Sequence, residues 1–229
     1  MQISHCDFPE GVRYDLDNFV WIKTDNEDRS TITLGITPIL ISLAGKLTRV
    51  KLRDIGTIVE KNKSVGSIES IRYFGMVRSP VKGEIIAINN TLADSPKIAN
   101  DFPYTDGWFV RIRIHNSDSH MDLGLKDSSL KFIEECHVEI GKIIEKLHVR
   151  CFSAFPDYEM FEIGVECAAT LTKLDELIVK INTGNVVHVV SDDTSADLEM
   201  IRWSEDKGQG LLEFRKEGNL FHFIVKKLK

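Results

Sequence analysis

The chain has 229 residues, which suits one large domain or two small ones. Apolar residues make up 42% of it and charged residues 28%, as in ordinary globular proteins. The formal net charge of -6 gives a nucleic-acid partner no electrostatic support. From Phe155 onward, 9 Lys and Arg stand against 14 Asp and Glu, so the last third forms an acidic part that indicates a separate unit.

The sequence contains no targeting or membrane signal that we recognise. No stretch approaches the roughly 18 apolar residues of a membrane helix, and Met1 to Glu10 holds charges rather than an apolar run. We therefore expect a cytoplasmic protein with neither a membrane nor a nucleic-acid partner. The pattern does not indicate an oligomeric state.

The four cysteines are irregularly spaced, and no pair forms CxxC, so neither a zinc ribbon nor a thioredoxin-like site is indicated. In a cytosolic setting we expect reduced thiols, with Cys6 a flexible terminal thiol of ordinary pKa and Cys136 packed against a core. An exchange between Cys151 and Cys167 would need their Cα atoms within about 7 Å. His115 and His120 lack a third ligand, so we expect no metal site.

Residues 11–114 have the pattern of strands and turns. Phe19 to Lys23 and Thr31 to Ile36 are aromatic and β-branched runs. Lys46 to Leu52 alternates, which predicts Leu47, Arg49 and Lys51 on one face of a strand. Glycines then punctuate short runs at the spacing of an all-β sandwich or barrel, up to the alternating segment that ends at Ile114.

The hydrophobic period changes after residue 115. Leu130 to Leu147 predicts an amphipathic helix, with Asp127, Ser128 or Ser129 as its N-cap. From Glu159 the predicted order is βαβαββ, a two-layer α/β sandwich with both helices on one face. Its predicted elements are a strand at 160–165, a helix at 168–181, a buried strand at 186–190, a helix from Thr194 or Ser195 to about Trp203, and a hairpin of 211–215 with 220–225.

Residues 9–116 carry a series of motifs in a fixed order: Phe19 to Lys23, Leu34-Gly35-Ile36-Thr37, Gly66 to Arg72, Ser79-Pro80-Val81-Lys82-Gly83-Glu84 and Gly107-Trp108. With these motifs the segment resembles the glycine cleavage H-protein, a relative of biotinyl and lipoyl carrier domains. This resemblance implies an all-β barrel-sandwich hybrid, the lipoyl-domain-like fold. The chain is therefore expected to be α+β with two domains: 9–116, a linker with an amphipathic helix at 117–154, and 155–229.

One departure from the family decides the expected chemistry. In the family a Glu-Ser-x-Lys turn presents the lysine that carries lipoate, and this sequence has Glu69-Ser70-Ile71-Arg72. A guanidinium keeps its proton and is a poor nucleophile, so it does not form the lipoyl amide. Lys63 and Lys82 are close in sequence but do not occupy the turn. We expect no lipoate, with Arg72 either an exposed hairpin residue or a cation offered to an acidic partner.

Residues 158–229 show, in order, a predicted strand, Gly164-x-x-Cys167, a helix, a buried strand, Ser191-Asp192-Asp193, a second helix and a hairpin. This order resembles the TusA/SirA family of small sulfurtransferases, in which a cysteine between the first strand and the first helix carries sulfur as a persulfide. Cys167 holds that place, where the N–H groups of a helix start stabilise a thiolate. The family's Cys-Pro-x-Pro is replaced by Cys167-Ala168-Ala169-Thr170, and Glu166 disfavours a thiolate. Cys167 is thus either a working thiol or a packed residue.

Two functions follow from these resemblances. In the first, Cys167 binds or relays sulfane sulfur as a persulfide, and the H-like domain docks to protein partners of sulfur-transfer or lipoyl-carrier systems. In the second, the chain is a non-catalytic adaptor or regulator related to those systems. A true carrier in glycine cleavage conflicts with Arg72.

Overall fold

The protein is described by a computed structural model over residues 1–25, 27–28, 30–114 and 130–229. The chain divides into two compact units, Met1–Cys151 and Phe152–Lys229. The expected turn at 116–124, with His115 and His120, lies outside the described residues. Within the described ranges, no helix combines the length and apolar character needed to cross a membrane.

Unit 1 is built mainly from short antiparallel strands. They are β1 (Gln2–Ile3), β2 (Cys6–Asp7), β3 (Arg13–Asp15), β4 (Val20–Thr24), β5 (Thr31–Ile36), β6 (Leu47–Leu52), β7 (Ile58–Val59), β8 (Ser64–Ser70), β9 (Phe74–Arg78), β10 (Gly83–Ile88), β11 (Val110–Ile114) and β12 (Leu130–Phe132). Seven of them form one sheet in the order β12-β3-β4-β5-β11-β10-β7, three form a second sheet in the order β6-β8-β9, and β1 and β2 form a small pair.

Three short helices lie within the segment where the pattern predicted only strands and turns. They are α1 (Pro38–Ala44), α2 (Thr91–Asp94) and α3 (Ile98–Asp101). Proline stands at the first position of α1, where its missing N–H costs no hydrogen bond. Gly45 ends the helix with φ +77°, a backbone conformation that favours glycine. The last turn of α1 contacts the hairpin that carries Arg72.

Gly35 on β5 is required by the packing of Trp21 on β4. A Cβ built on Gly35 would lie 2.5 Å from the indole ring, so any larger residue would displace Trp21. The buried indole Nε1 donates to the carbonyl oxygen of Pro103 at 3.1 Å. This close approach explains why glycine stands at position 35 of the Leu34-Gly35-Ile36-Thr37 segment.

The expected amphipathic helix is α4 (Ile133–Lys146), and it packs on unit 1. Its apolar stripe joins a cluster with Phe8, Tyr14 and Trp21. The helix begins at Ile133, so the predicted N-cap at residues 127–129, which lie outside the described residues, was wrong. Instead, Glu135 accepts the N–H of Phe132 at 2.8 Å and satisfies one donor of the first turn. Buried residues on the stripe are Ile133, Cys136, Ile140 and Ile144.

A disulfide in the same cluster corrects two expectations about the cysteines. Cys6 is not a flexible thiol: it is fully buried and bonded to Cys151, with 5.0 Å between their Cα atoms. Cys151 is therefore paired with Cys6, not with Cys167. Cys136 and Cys167 are the free cysteines among the described residues. Cys136 is packed as predicted, and burial raises the pKa of its thiol to about 11.

The face prediction for β6 was also wrong at one residue. The pairing of β6 with β8 shifts register between Leu47 and Arg49, as at a β-bulge. One extra residue changes which side chains share a face. Leu47 and Val50 are consequently both buried, while Arg49 and Lys51 remain exposed.

Unit 2 is a four-stranded sheet with two helices, in the chain order strand, helix, strand, helix, strand, strand. The sheet order is β13-β14-β16-β15, and only the β13–β14 pair is parallel. The elements are β13 (Tyr158–Glu162), α5 (Cys167–Lys180), β14 (Val186–Ser191), α6 (Ala196–Lys207), β15 (Gly210–Glu217) and β16 (Leu220–Lys226).

Both helices of unit 2 contribute to one core with the same face of the sheet. Leu174 and Ile178 of α5 and Met200 of α6 pack with alternate residues of the strands, among them Val189 and Phe223. Cys167, at the start of α5, belongs to this cluster. The unit thus has a hydrophobic core of its own.

Candidate functional site

The turn that aligns with the lipoyl-bearing turn is a tight hairpin between β8 and β9. Ser70 N–H donates to Tyr73 O at 2.8 Å, which leaves Ile71 and Arg72 as the two tip residues. The Ser70 hydroxyl accepts from the backbone N–H groups of Arg72 and Tyr73, and it donates to Ala44 O at 2.6 Å. One serine therefore fixes both the shape of the tip and its attachment to the end of α1.

The Arg72 side chain turns back onto α1 instead of extending straight into solvent. Its Nη2 donates to Ser42 O at 3.1 Å, in the last turn of the helix. A Cβ on Gly45 would lie 2.9 Å from Arg72 Nε, so the glycine leaves room for the guanidinium to lie flat. A cation at the carbonyl end of a helix is also favoured by the helix dipole. Arg72 is thus an ordered, exposed cation at the tip.

Apolar and cationic side chains surround the tip; we call Ile71, Arg72, Phe74, Met76 and Arg78 the hairpin surface. Ile71 is fully exposed, and Phe74 keeps 62% of its surface exposed. Phe74, Met76 and Arg78 alternate along β9, so they point to the same solvent side. Exposed aromatic and thioether side chains grouped with arginine have the composition of a protein-binding patch.

The two nearby lysines do not replace Arg72. Lys82 lies in the connection before β10, where its ammonium pairs with Glu60 Oε1 at 2.7 Å. Lys63 precedes β8, at the end of that strand remote from the tip. Neither side chain is presented by the hairpin turn.

Cys167 lies at the first position of α5, as its place in the sequence predicts, but its surroundings are acidic. Its backbone N–H donates to Asp193 Oδ2 at 2.7 Å. The other oxygen of Asp193 accepts the Ser195 backbone N–H at 2.8 Å, and these backbone hydrogen bonds lower the pKa of Asp193. The helix-start N–H that was expected to stabilise a thiolate is therefore already bound to a carboxylate.

The surroundings of Cys167 oppose the thiolate that a working thiol would need. The side chain is 2% exposed, and burial raises the pKa of its thiol to about 12. A hydrogen bond to Glu199 and the negative charges of Glu199 and Asp193 act in the same direction. At neutral pH the group is a neutral thiol, and a thiolate would require the core to open.

Sequence comparison identifies the family of the region that unit 1 covers. A profile of the family described as Glycine cleavage H-protein matches residues 12–136, more than half of the chain. The chain belongs to the glycine cleavage H-protein family. Unit 1 is its H-protein-like lipoyl-carrier domain, and α4, within the expected linker, begins inside the matched region.

The alignments of this H-protein family member with two relatives extend over most of each relative's length. Glycine cleavage system H protein 3 of Aquifex aeolicus is 35% identical over 147 residues, 64% of this chain and 88% of the relative. Probable glycine cleavage system H protein 2 of Saccharolobus solfataricus is 34% identical over 134 residues, 58% of this chain and 89% of the relative. A crystal structure of a glycine cleavage system H protein from Mycobacterium marinum, 24% identical, aligns with a TM-score of 0.48 over 58% of this chain and 99% of that one.

Several features of the site were missed by sequence reasoning. The hydrogen bond of Arg72 to Ser42 joins residues 30 apart, and no local pattern indicates it. The outward direction of Phe74 and Met76 follows from strand alternation and was available from the sequence. Among the described residues, no group of three or more His, Cys, Asp or Glu is arranged to hold a metal ion.

Proposed function

We propose that this H-protein family member docks onto proteins that recognise lipoyl carriers and does not itself carry lipoate. The observation that carries the proposal is Arg72 at the tip of a hairpin whose turn is otherwise intact. Amide formation needs an amine that loses its proton, and a delocalised guanidinium does not supply one. The domain has kept a presenting surface while the acceptor chemistry is absent.

The composition of the hairpin surface supports a partner with an acidic and apolar docking patch. Phe74 and Met76 offer exposed apolar area, and aromatic side chains often carry most of an interface's binding energy. Arg72 and Arg78 supply planar donors that match carboxylates. An arginine in place of lysine also strengthens such contacts, because its fork of donors is rigid. The expected partners are proteins of the glycine cleavage system.

Binding to these partner proteins tests the proposal. Each purified protein of the glycine cleavage system would be titrated against the full chain by biolayer interferometry. We expect saturable binding to at least one of them, weakened at least about 10-fold by Phe74→Glu because the substitution removes an apolar anchor. Binding should also weaken as salt is raised, since rim arginines are screened by ions.

Phe161→Glu is the matched control, because Phe161 of unit 2 is the same residue type with the same 62% exposure. It should bind like the unchanged chain. Saturable binding that Phe74→Glu leaves intact would place the docking surface elsewhere. Failure of every partner protein to bind would overturn the adaptor proposal.

The sulfur-relay function of a TusA/SirA-like domain stays a prediction. It requires a donor sulfur to reach Cys167 and the thiol to ionise, and the burial and the neighbouring Glu199 oppose both. A persulfide at Cys167 would therefore form only after a movement that exposes the start of α5. We favour the adaptor function for this reason.

A further inference from the structure

A cavity in unit 2, far along α5 from Cys167, has no role in the function proposed above. Its volume is about 420 Å³, within the range of small-molecule sites. Its apolar part is lined by the exposed Val179 of α5 and by the largely buried Ile178 of α5 and Trp203 of α6, and residues after β16 complete the wall. The opening leads to solvent, so a ligand has direct access.

Lysines dominate the polar part of the cavity. Lys207, Lys227 and Lys229 all line it, although the part of the chain from Phe155 onward has only 9 Lys and Arg against 14 Asp and Glu. Among the described residues, Asp175 is the single acidic side chain in the lining. Three of the 9 Lys and Arg residues of this acidic part of the chain therefore line one cavity.

Asp175 does not act as a free anion there. Its Oδ1 accepts the Trp203 indole N–H at 2.9 Å, and its Oδ2 accepts from Lys207 Nζ at 2.8 Å. Lys227 Nζ donates to Ile181 O at 2.9 Å, which holds its ammonium near the end of α5. Lys229 Nζ lies against Gly208, where an added Cβ would be 2.5 Å away. The Asp175 carboxylate is thus offset by Lys207, Lys227 is fixed by its hydrogen bond, and Lys229 places a further ammonium group at the cavity.

We propose that this cavity binds a small organic anion. Its apolar body packs on Ile178 and Trp203, and its carboxylate or phosphate accepts from Lys227 and Lys229. An apolar wall with a few convergent charged donors is the usual composition of such a site. The anionic group replaces part of the hydration that the ammonium groups lose on binding, so charge and apolar area act together.

Two probes of matched shape separate charge from apolar burial. The full chain, labelled with ¹⁵N, would be titrated with 4-phenylbutyrate and with the neutral alcohol 4-phenylbutanol, following the indole N–H resonance of Trp203. This resonance is informative because the indole hydrogen bonds to Asp175 in the cavity. We expect a saturable shift with the carboxylate and binding at least about 10-fold weaker with the alcohol.

Two charge variants locate the binding. Lys229→Gln should weaken 4-phenylbutyrate binding at least about 3-fold, because one ammonium in contact with the carboxylate is lost. Lys226→Gln removes the same charge from a neighbouring position. Side chains of successive strand residues point to opposite faces, so this variant should weaken 4-phenylbutyrate binding less than about 2-fold. Equal binding of acid and alcohol, equal effects of the two variants, or no saturable shift would each overturn the proposal.

Discussion

Removing the Cys6–Cys151 disulfide should destabilise unit 1 strongly. The bond joins residues that are 145 apart in sequence, so it closes almost the whole of unit 1 into one loop. Chain entropy puts the stabilisation by such a loop at about 5 kcal/mol at 25 °C, and measured values are often lower. For the double variant Cys6→Ala with Cys151→Ala we therefore expect a loss of about 3 to 5 kcal/mol in the free energy of unfolding of unit 1.

Urea unfolding followed by pulsed hydrogen exchange and mass spectrometry is the suitable assay, because it reports peptides of the two units separately. Cys136→Ala is the matched control: Cys136 lies buried in the same cluster but forms no disulfide. Losing its thiol should cost about 1 to 2 kcal/mol through reduced packing. Dithiothreitol should lower the stability of the unchanged chain to nearly that of the double variant. It should lower the stability of Cys136→Ala by a similar amount, because this variant keeps the Cys6–Cys151 disulfide.

The reasoning is refuted if the double variant loses no more stability than Cys136→Ala. It is also refuted if the unreduced, denatured chain reacts with four equivalents of iodoacetamide, since the disulfide leaves only Cys136 and Cys167 as thiols. Peptides of unit 2 should keep their exchange protection in every variant, because unit 2 has its own core.

Further predictions concern unit 2. Cys167 should resist iodoacetamide at pH 8 in the folded chain and react once urea is added, which peptide mapping detects; rapid modification of the folded chain would support sulfur relay instead. The pKa of Cys167 is raised from 9.0 to about 12, so the folded state favours the protonated thiol. The free energy of unfolding that this preference contributes is fully present below pH 9. It should be lost as pH rises toward 12, at about 1.4 kcal/mol per pH unit. Cys167→Ala should reduce the slope by about that amount in alkaline urea titrations, while Cys136 keeps its own contribution, and an unchanged slope would contradict the assignment. The fragment 152–229 should fold alone with a cooperative thermal transition; a featureless circular-dichroism melt would show that it depends on unit 1.

Local periodicity predicted much of the fold, because elements with a clear hydrophobic face are specified by their own residues. The stripe through Ile133, Cys136 and Ile140 predicted both α4 and its burial. Helix α1 was missed because seven residues with an apolar centre resemble a strand, and only Pro38 and Gly45 mark its ends. The bulge in β6 was missed because register is set by the partner strand, which the sequence of β6 alone does not reveal.

The candidate sites show the same division between local and long-range information. The position of Arg72 at a hairpin tip followed from the sequence, whereas its contact with α1 depends on how the two sheets of unit 1 are arranged. The sequence left Cys167 open as either a working thiol or a packed residue, because the helix start and Glu166 act on its pKa in opposite directions. Burial raises that pKa most, and Glu199 on α6 and Asp193 in the connection before α6 act in the same direction. These residues are distant from Cys167 in sequence, so the local pattern does not reveal their contacts with it.

Lipoate transfer to the unchanged chain and to Arg72→Lys tests the central claim most directly. Both proteins would be incubated with a lipoate ligase, ATP and lipoate, and their intact masses measured, with peptide mapping to locate any modification. The account predicts no mass gain for the unchanged chain and the gain of one lipoyl group at residue 72 of Arg72→Lys, because the turn fixed by Ser70 still presents that position. A lipoyl group on the unchanged chain, at Lys63, Lys82 or elsewhere, would contradict it.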